Sequence, residues 1–225
     1  MAESPLQDAL NKIEDDDIRG KCQKLYDALK PALDITVGGK WHHHHWDGAY
    51  AVHVREVMGI AKATYDQLKG LLDEKANPPF TASDMQAVAF LHDLEKVDQY
   101  ERKEVWDKAW KNKTNKWRTM DGWEYRSSYP IEQVAWIQKL CYKFADWDLP
   151  ELYLHALSRG AGGWSKYSGI DHPISIILHF ADVMSARLLG NPKDKCDLIG
   201  KDLADHNLPK IGAMYAAQPP QRMKK

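Results

Sequence analysis

The chain reads as an all-α protein. Apolar residues recur at spacings of three and four over most of its 225 residues, period-two alternation is almost absent, and capping residues and prolines fall where helices start and stop. A chain of this length can bury a substantial core without disulfides, and one helical domain over 1–225 is the expected organisation. It divides into an N-terminal helical extension at 1–40, a core at 41–190 and a tail at 191–225.

Taken in order, Ser4-Pro5 predicts a cap and a first-turn proline, opening a helix that runs to about Lys30 before Pro31 stops it. A loop with Gly38-Gly39 leads into WHHHHWDG at 41–48, an internal histidine run flanked by tryptophans. Asp47 is placed to cap the next helix, whose stripe includes Val52, Val57, Ile60, Ala61, Tyr65, Leu68 and Leu72. After Asn77-Pro78-Pro79, TASD at 81–84 predicts a capping box that opens the strongly apolar AVAFLHDLEKV, the expected core helix. The stretch 98–130 is polar, Lys-rich and studded with tryptophans, and reads as an insertion or lid after that helix. Helical pattern resumes with Ile131, Val134, Ile137, Leu140 and Phe144, breaks at 148–150, and returns in ELYLHALS before the glycine turn GAGGWS. Pro173 suits the first turn of the helix SIILHFADVMSARLLG, which is expected to end at 190–192.

Composition excludes several classes. A formal charge of −1 gives no global field for nucleic acid or an anionic membrane, so any basic patch is local. Three distant cysteines, Cys22, Cys141 and Cys196, match neither a zinc site nor a disulfide framework and read as reduced thiols. No stretch approaches the roughly twenty apolar residues that span a bilayer, and the N-terminus lacks a leader-like layout. The expected location is the cytoplasm.

Chemistry concentrates in three separated patches: His53 on the helix after the histidine run, the pair His92-Asp93, and Asp182 in an apolar helix. Lys96 stands three and four residues beyond the pair and shares a face with both. A carboxylate in a stretch such as ILHFADVMSA is costly unless a cation or hydrogen bonds meet it. Two imidazoles with two carboxylates suit a borderline or hard divalent ion that keeps open positions, unlike the closed thiolate sites of structural zinc. Such an ion activates water and neutralises charge on a phosphoryl oxygen, while a nearby lysine holds phosphate as a point charge.

In their order and spacing, WHHHHWDGAYAVH, FLHDLEK, GGWS and LHFADVMSARL resemble the HD superfamily of metal-dependent phosphohydrolases, and most closely its bacteriophage members. The resemblance covers about 41–189. It implies an HD-type helical bundle in which His53, His92, Asp93 and Asp182 ligate the metal, with Asp93 and Lys96 carrying the catalytic role. Lys96 would also meet the substrate phosphate. Glu95 replaces the glycine common in HD-x-G-K, and Gly160-Ala161 stands where a histidine pair is expected, so one divalent ion per site is expected (Mn, Co, Mg, Ni, Fe or Zn). His155 and Arg159 become the substitutes for phosphate contact, and His44 and Trp164 join them as substrate-binding candidates.

The expected activity is hydrolysis of a nucleotide or deoxynucleotide phosphate ester. Alternatives are a phosphodiesterase on cyclic nucleotides, signalling oligonucleotides or RNA, as in phage counter-defence, and a protein that sequesters a nucleotide. Residues 108–118 carry Lys108, Lys111, Lys113, Lys116 and Arg118 with no acid, interleaved with Trp110 and Trp117, a pattern that suits single-stranded or cyclic oligonucleotides.

Overall fold

The order of elements follows from where the chain breaks its own helices. The computed structural model describes residues 4–39, 46–106, 108–116, 119–125, 133–160 and 172–189. Helix α1, Pro5–Leu10, carries its proline in the first turn, and a short break leads to α2, Asp16–Leu33. The single helix expected up to Lys30 is therefore two. Asp15 makes the break, because its carboxylate accepts from Ile18 N and starts a new helix. Pro31 sits inside the last turn of α2 without ending it. Helix α3, Ala49–Lys75, is about 40 Å long at 1.5 Å per residue and forms the centre of the fold.

Its start differs from expectation. Gly48, in the left-handed region at φ 78°, holds the N-cap position. A Cβ there would meet Asp34 O at 2.8 Å, so this close approach requires glycine. The bonds Gly48 N–H to Ile35 O and Tyr50 N–H to Thr36 O then tie the helix start to the chain after α2. Asp47 is not the cap, because its carboxylate is taken by Arg102 and Trp123.

Helix α4, Ala82–Leu91, opens with the expected capping box of Thr81 and Asp84 and is buried on nearly every side. It packs on α3, as does α9, Pro173–Met184. In α9, Pro173 occupies the first turn and His172 caps it, its Nδ1 accepting from Ile174 N. A π-helical segment, Ser185–Leu189, prolongs α9. Helices α7, Gln133–Ala145, and α8, Glu151–Arg159, close the bundle against α2, α4 and α9. Phe90, Leu91 and Leu94 are fully buried at the centre, each worth roughly 1.5–3 kcal/mol. Cys22 and Cys141 are buried free thiols, pushed up by burial, Cys141 to about 12.

The polar insertion is not helical throughout. After the one-turn α5, Lys96–Gln99, the chain forms strand β1, Tyr100–Trp106, the short α6, Lys108–Thr114, and strand β2, Thr119–Tyr125. The strands pair antiparallel from Tyr100 with Tyr125 to Trp106 with Thr119. The described residues are thus mostly helical, with one two-stranded arm among them. All described residues fall in the unit 1–190, and the tail expected at 191–225 lies outside them.

Candidate metal centre

Helix α4 ends at Leu91, immediately before the histidine–aspartate pair. Successive residues on a helix diverge by about 100°, so His92 and Asp93 can meet at one point where the chain presents its edge to a cavity. The expectation of a mid-helix pair fails here: His92 is the C-cap of α4, and 92–95 form turns before α5. Both side chains line one cavity. Gln133, at the start of α7, fixes the turn by donating from Nε2 to His92 O at 2.7 Å.

His53 comes from the fully buried face of α3, and Asp182 from α9 with its side chain 33% exposed. His53 Nε2 lies 3.3 Å from Asp93 Oδ2 and 3.2 Å from Asp182 Oδ1. His92 Nε2 lies 3.3 Å and 3.8 Å from the same two atoms. The two Nε2 atoms are 3.4 Å apart, and donor atoms of all four residues lie within 4.8 Å of one another. Two atoms each about 2.1 Å from a common centre at a tetrahedral angle are about 3.4 Å apart. The observed separations match that spacing.

Hydrogen bonds behind the imidazoles set which nitrogens face inward. His92 Nδ1–H donates to Ala89 O at 2.7 Å, because a carbonyl can only accept. Its Nε2 is left for the centre. His53 Nδ1 meets Ser185 Oγ at 2.9 Å, and that hydroxyl donates to Glu56 Oε2 at 2.8 Å. With its one hydrogen committed to the carboxylate, Ser185 accepts from His53 Nδ1–H, so His53 also presents Nε2 inward. With His92 in its neutral form, two nitrogen lone pairs and two carboxylate oxygens face one small volume, an arrangement that a cation satisfies; without one, the carboxylates favour a proton on His92.

The charges follow. Burial pushes the Asp93 carboxyl up, but the Lys96 ammonium and His92 outweigh it and hold it well below the usual range. Asp182 is likewise pushed up by burial and brought down by His53 and His92. Lys96, only 16% exposed, donates to Asp93 Oδ2 and, at 2.6 Å, to Gly38 O. It serves here as the brace of Asp93, with two of its three hydrogens committed. Tyr50 and Glu95 are buried beside this group, and burial raises both, Glu95 to about 8 with the Asp93 charge adding to the rise.

The cavity holds about 30 Å³, room for a water-sized species, and Gln133, Leu157, Gly160 and Leu178 complete its described wall. Gly160 lets α8 approach α9 closely, since a Cβ would run into Leu178 Cδ2.

No family model, curated protein or solved structure matches this chain. What the site can do is read from its own atoms.

The four residues expected as ligands are brought together, with Lys96 beside them. His155 is not: Leu157 and Gly160 take the cavity face of α8, and His155, two residues from Leu157 and so about 200° around the helix, turns away. Its ring lies 6.2 Å from that of His172 in a separate cleft of about 410 Å³ with Asn77, Pro78 and Glu151. Arg159, partly buried in the last turn of α8, is outside the described cavity wall. His44 and Trp164 lie outside the described residues. Glu56, Ser185, Gln133 and Gly38 were not anticipated. Glu56 and Ser185 each stand three residues beyond a ligand, the one signal that pointed to them.

Proposed function

We propose that this chain is a metal-dependent phosphohydrolase of the HD type, acting on the phosphate ester of a nucleotide or deoxynucleotide. The observation that carries the reading is the convergence of two inward-facing imidazole nitrogens and two carboxylates from three elements, with a buried lysine on one carboxylate. His53, His92, Asp93 and Asp182 would hold one divalent cation. Such a cation, when bound, supplies Lewis-acid activation of water and neutralises charge on a phosphoryl oxygen.

The chain's own groups set up that chemistry. Lys96 fixes the Asp93 carboxylate and keeps it ionised through its charge. Asp182, the most exposed of the four, is the ligand that water and an ester would reach first. Gln133 and the bonds behind each histidine hold the donors in place, so little reorganisation is needed.

The test is phosphate release from a panel of nucleoside mono- and triphosphates with Mn2+, Co2+ or Mg2+, run on wild type beside Asp93→Ala. Turnover that falls to background in the variant supports the reading; silence of the wild type with every metal and substrate rejects it.

The arm favours a second reading, a phosphodiesterase on oligonucleotides. The sequence between its strands carries five basic residues and no acid over 108–118, and β1 follows directly on α5, which begins with Lys96. Deleting 108–118 should abolish action on oligonucleotides and spare mononucleotides. Equal loss for both removes the case for a diester.

A further inference from the structure

The side chains that face the cavity do not account for Ser185 and Glu56. Ser185 is fully buried at the junction where α9 passes into its π-helical segment, and its Oγ bonds His53 Nδ1 and Glu56 Oε2. Glu56 shares the face of α3 with His53, three residues on, as Ser185 shares that of Asp182. The two elements are therefore interlocked. Each contributes one inward ligand and, one turn further, one group that braces the ligand on α3.

We infer that Ser185 and Glu56 are positioning residues for the metal centre, forming a chain from His53 Nδ1–H through the Ser185 hydroxyl to the Glu56 carboxylate that fixes the His53 tautomer and strengthens its Nε2 as a ligand. The inference rests on the metal reading proposed above for its consequence, but the tautomer it requires is a property of the chain alone. The direction of the chain is forced. A carboxylate only accepts, the hydroxyl has one hydrogen to give, and the remaining partner must donate into the oxygen. Outer partners of this sort orient a ligating imidazole and raise its basicity, and their loss weakens metal affinity by about 10- to 100-fold.

Two readouts separate this inference from the functional reading. The first is the 15N and 1H resonance pattern of the His53 ring in metal-free protein at about pH 10, above the ordinary imidazole range. Wild type should carry the proton at Nδ1, and Ser185→Ala should move it toward Nε2, where Asp93 and Asp182 accept it. The second is Zn2+ affinity by competition with a chromophoric chelator. Ser185→Ala should bind about 10- to 100-fold more weakly, Glu56→Gln should fall between it and wild type, and Ser185→Thr, which keeps the hydroxyl, should return to within about threefold. Thermal melts of the metal-free variants check that all are folded; should Ser185→Ala not fold, Glu56→Gln, whose site is partly solvent-accessible, carries the test.

A wild-type His53 protonated at Nε2, or a ring pattern unchanged in the folded variants, overturns the inference. So does wild-type affinity in Ser185→Ala. Should wild type bind no Zn2+, the metal reading falls, and the ring pattern alone decides whether the Ser185–Glu56 chain sets the tautomer.

Discussion

Glu95 and His92 flank Asp93 and titrate far from their ordinary ranges. Burial pushes Glu95 up and the Asp93 charge pushes it further, to about 8. For His92 burial alone would lower the imidazolium, but the Asp93 carboxylate outweighs it and holds it at about 9. Both folded values stand above the unfolded ones of about 4.3 and 6.5. Each protonated form therefore stabilises the metal-free fold fully below its unfolded value, and that contribution is lost as pH rises through about 8 and about 9. Denaturant unfolding of metal-free protein should show stability falling between about pH 5 and about pH 9. Glu95→Gln should match wild type at the lower end and exceed it at the upper, by an amount on the order of a few kcal/mol. Equal stability of the two proteins at about pH 9 would show that Glu95 is not held protonated. The residue scale is also where the sequence was most legible. The four ligand types and Lys96 carry their chemistry in their names and spacing, whereas Gln133 reaches the His92 carbonyl and Lys96 reaches that of Gly38, contacts with the backbone that no side-chain pattern records.

At the scale of elements, the sequence marks what is amphipathic and misses what is not. The helices of the bundle were readable because each buries a stripe, and Thr81 with Asp84 announced the start of α4. The stop of α4 at Leu91 was hidden, since Phe90, Leu91 and Leu94 continue an apolar run across the turn. The arm was hidden for the opposite reason. Most described side chains of this two-stranded ribbon are exposed or half-buried, so YERKEVW and TMDGWEY carry little alternation to read. Its root is held by Asp47, which accepts from Arg102 and from Trp123 Nε1 at 2.8 and 2.9 Å. These groups are half-exposed, and such pairs contribute at most about 1 kcal/mol. Asp47→Ala should therefore leave the unfolding midpoint of the bundle within a few degrees of wild type while limited proteolysis cuts faster between 100 and 125; an unchanged cutting rate counts against the anchor. Gly160→Ala tests the opposite kind of contact. Its Cβ would run into Leu178 and Ala156 O, so the cost should be about 1–3 kcal/mol by denaturant unfolding.

For the molecule as a whole, the ligands come from α3, α9 and the turn after α4, the elements that form the middle of the bundle. A cation bound there would tie them together, and whatever binds only the folded state stabilises it, by about 2.7 kcal/mol at a hundredfold excess over Kd. In a chain of this size that corresponds to a rise in Tm of about 5–10 °C. The rise should appear with Mn2+ or Zn2+, vanish with a chelator, and be absent in Asp93→Ala. No helix among the described residues is long and apolar enough to cross a membrane.

The reciprocal spacing on α3 and α9 has a geometric corollary. A slip of one helix along the other by a single residue displaces its side chains by about 1.5 Å along the axis and rotates them by about 100°. Such an error would part His53 from Asp182 and Ser185 from Glu56 together, because both contacts span the same two rods with equal offsets. The long central helix is thus held to one alignment by a pair of checks a turn apart, and misaligned packings forfeit both at once.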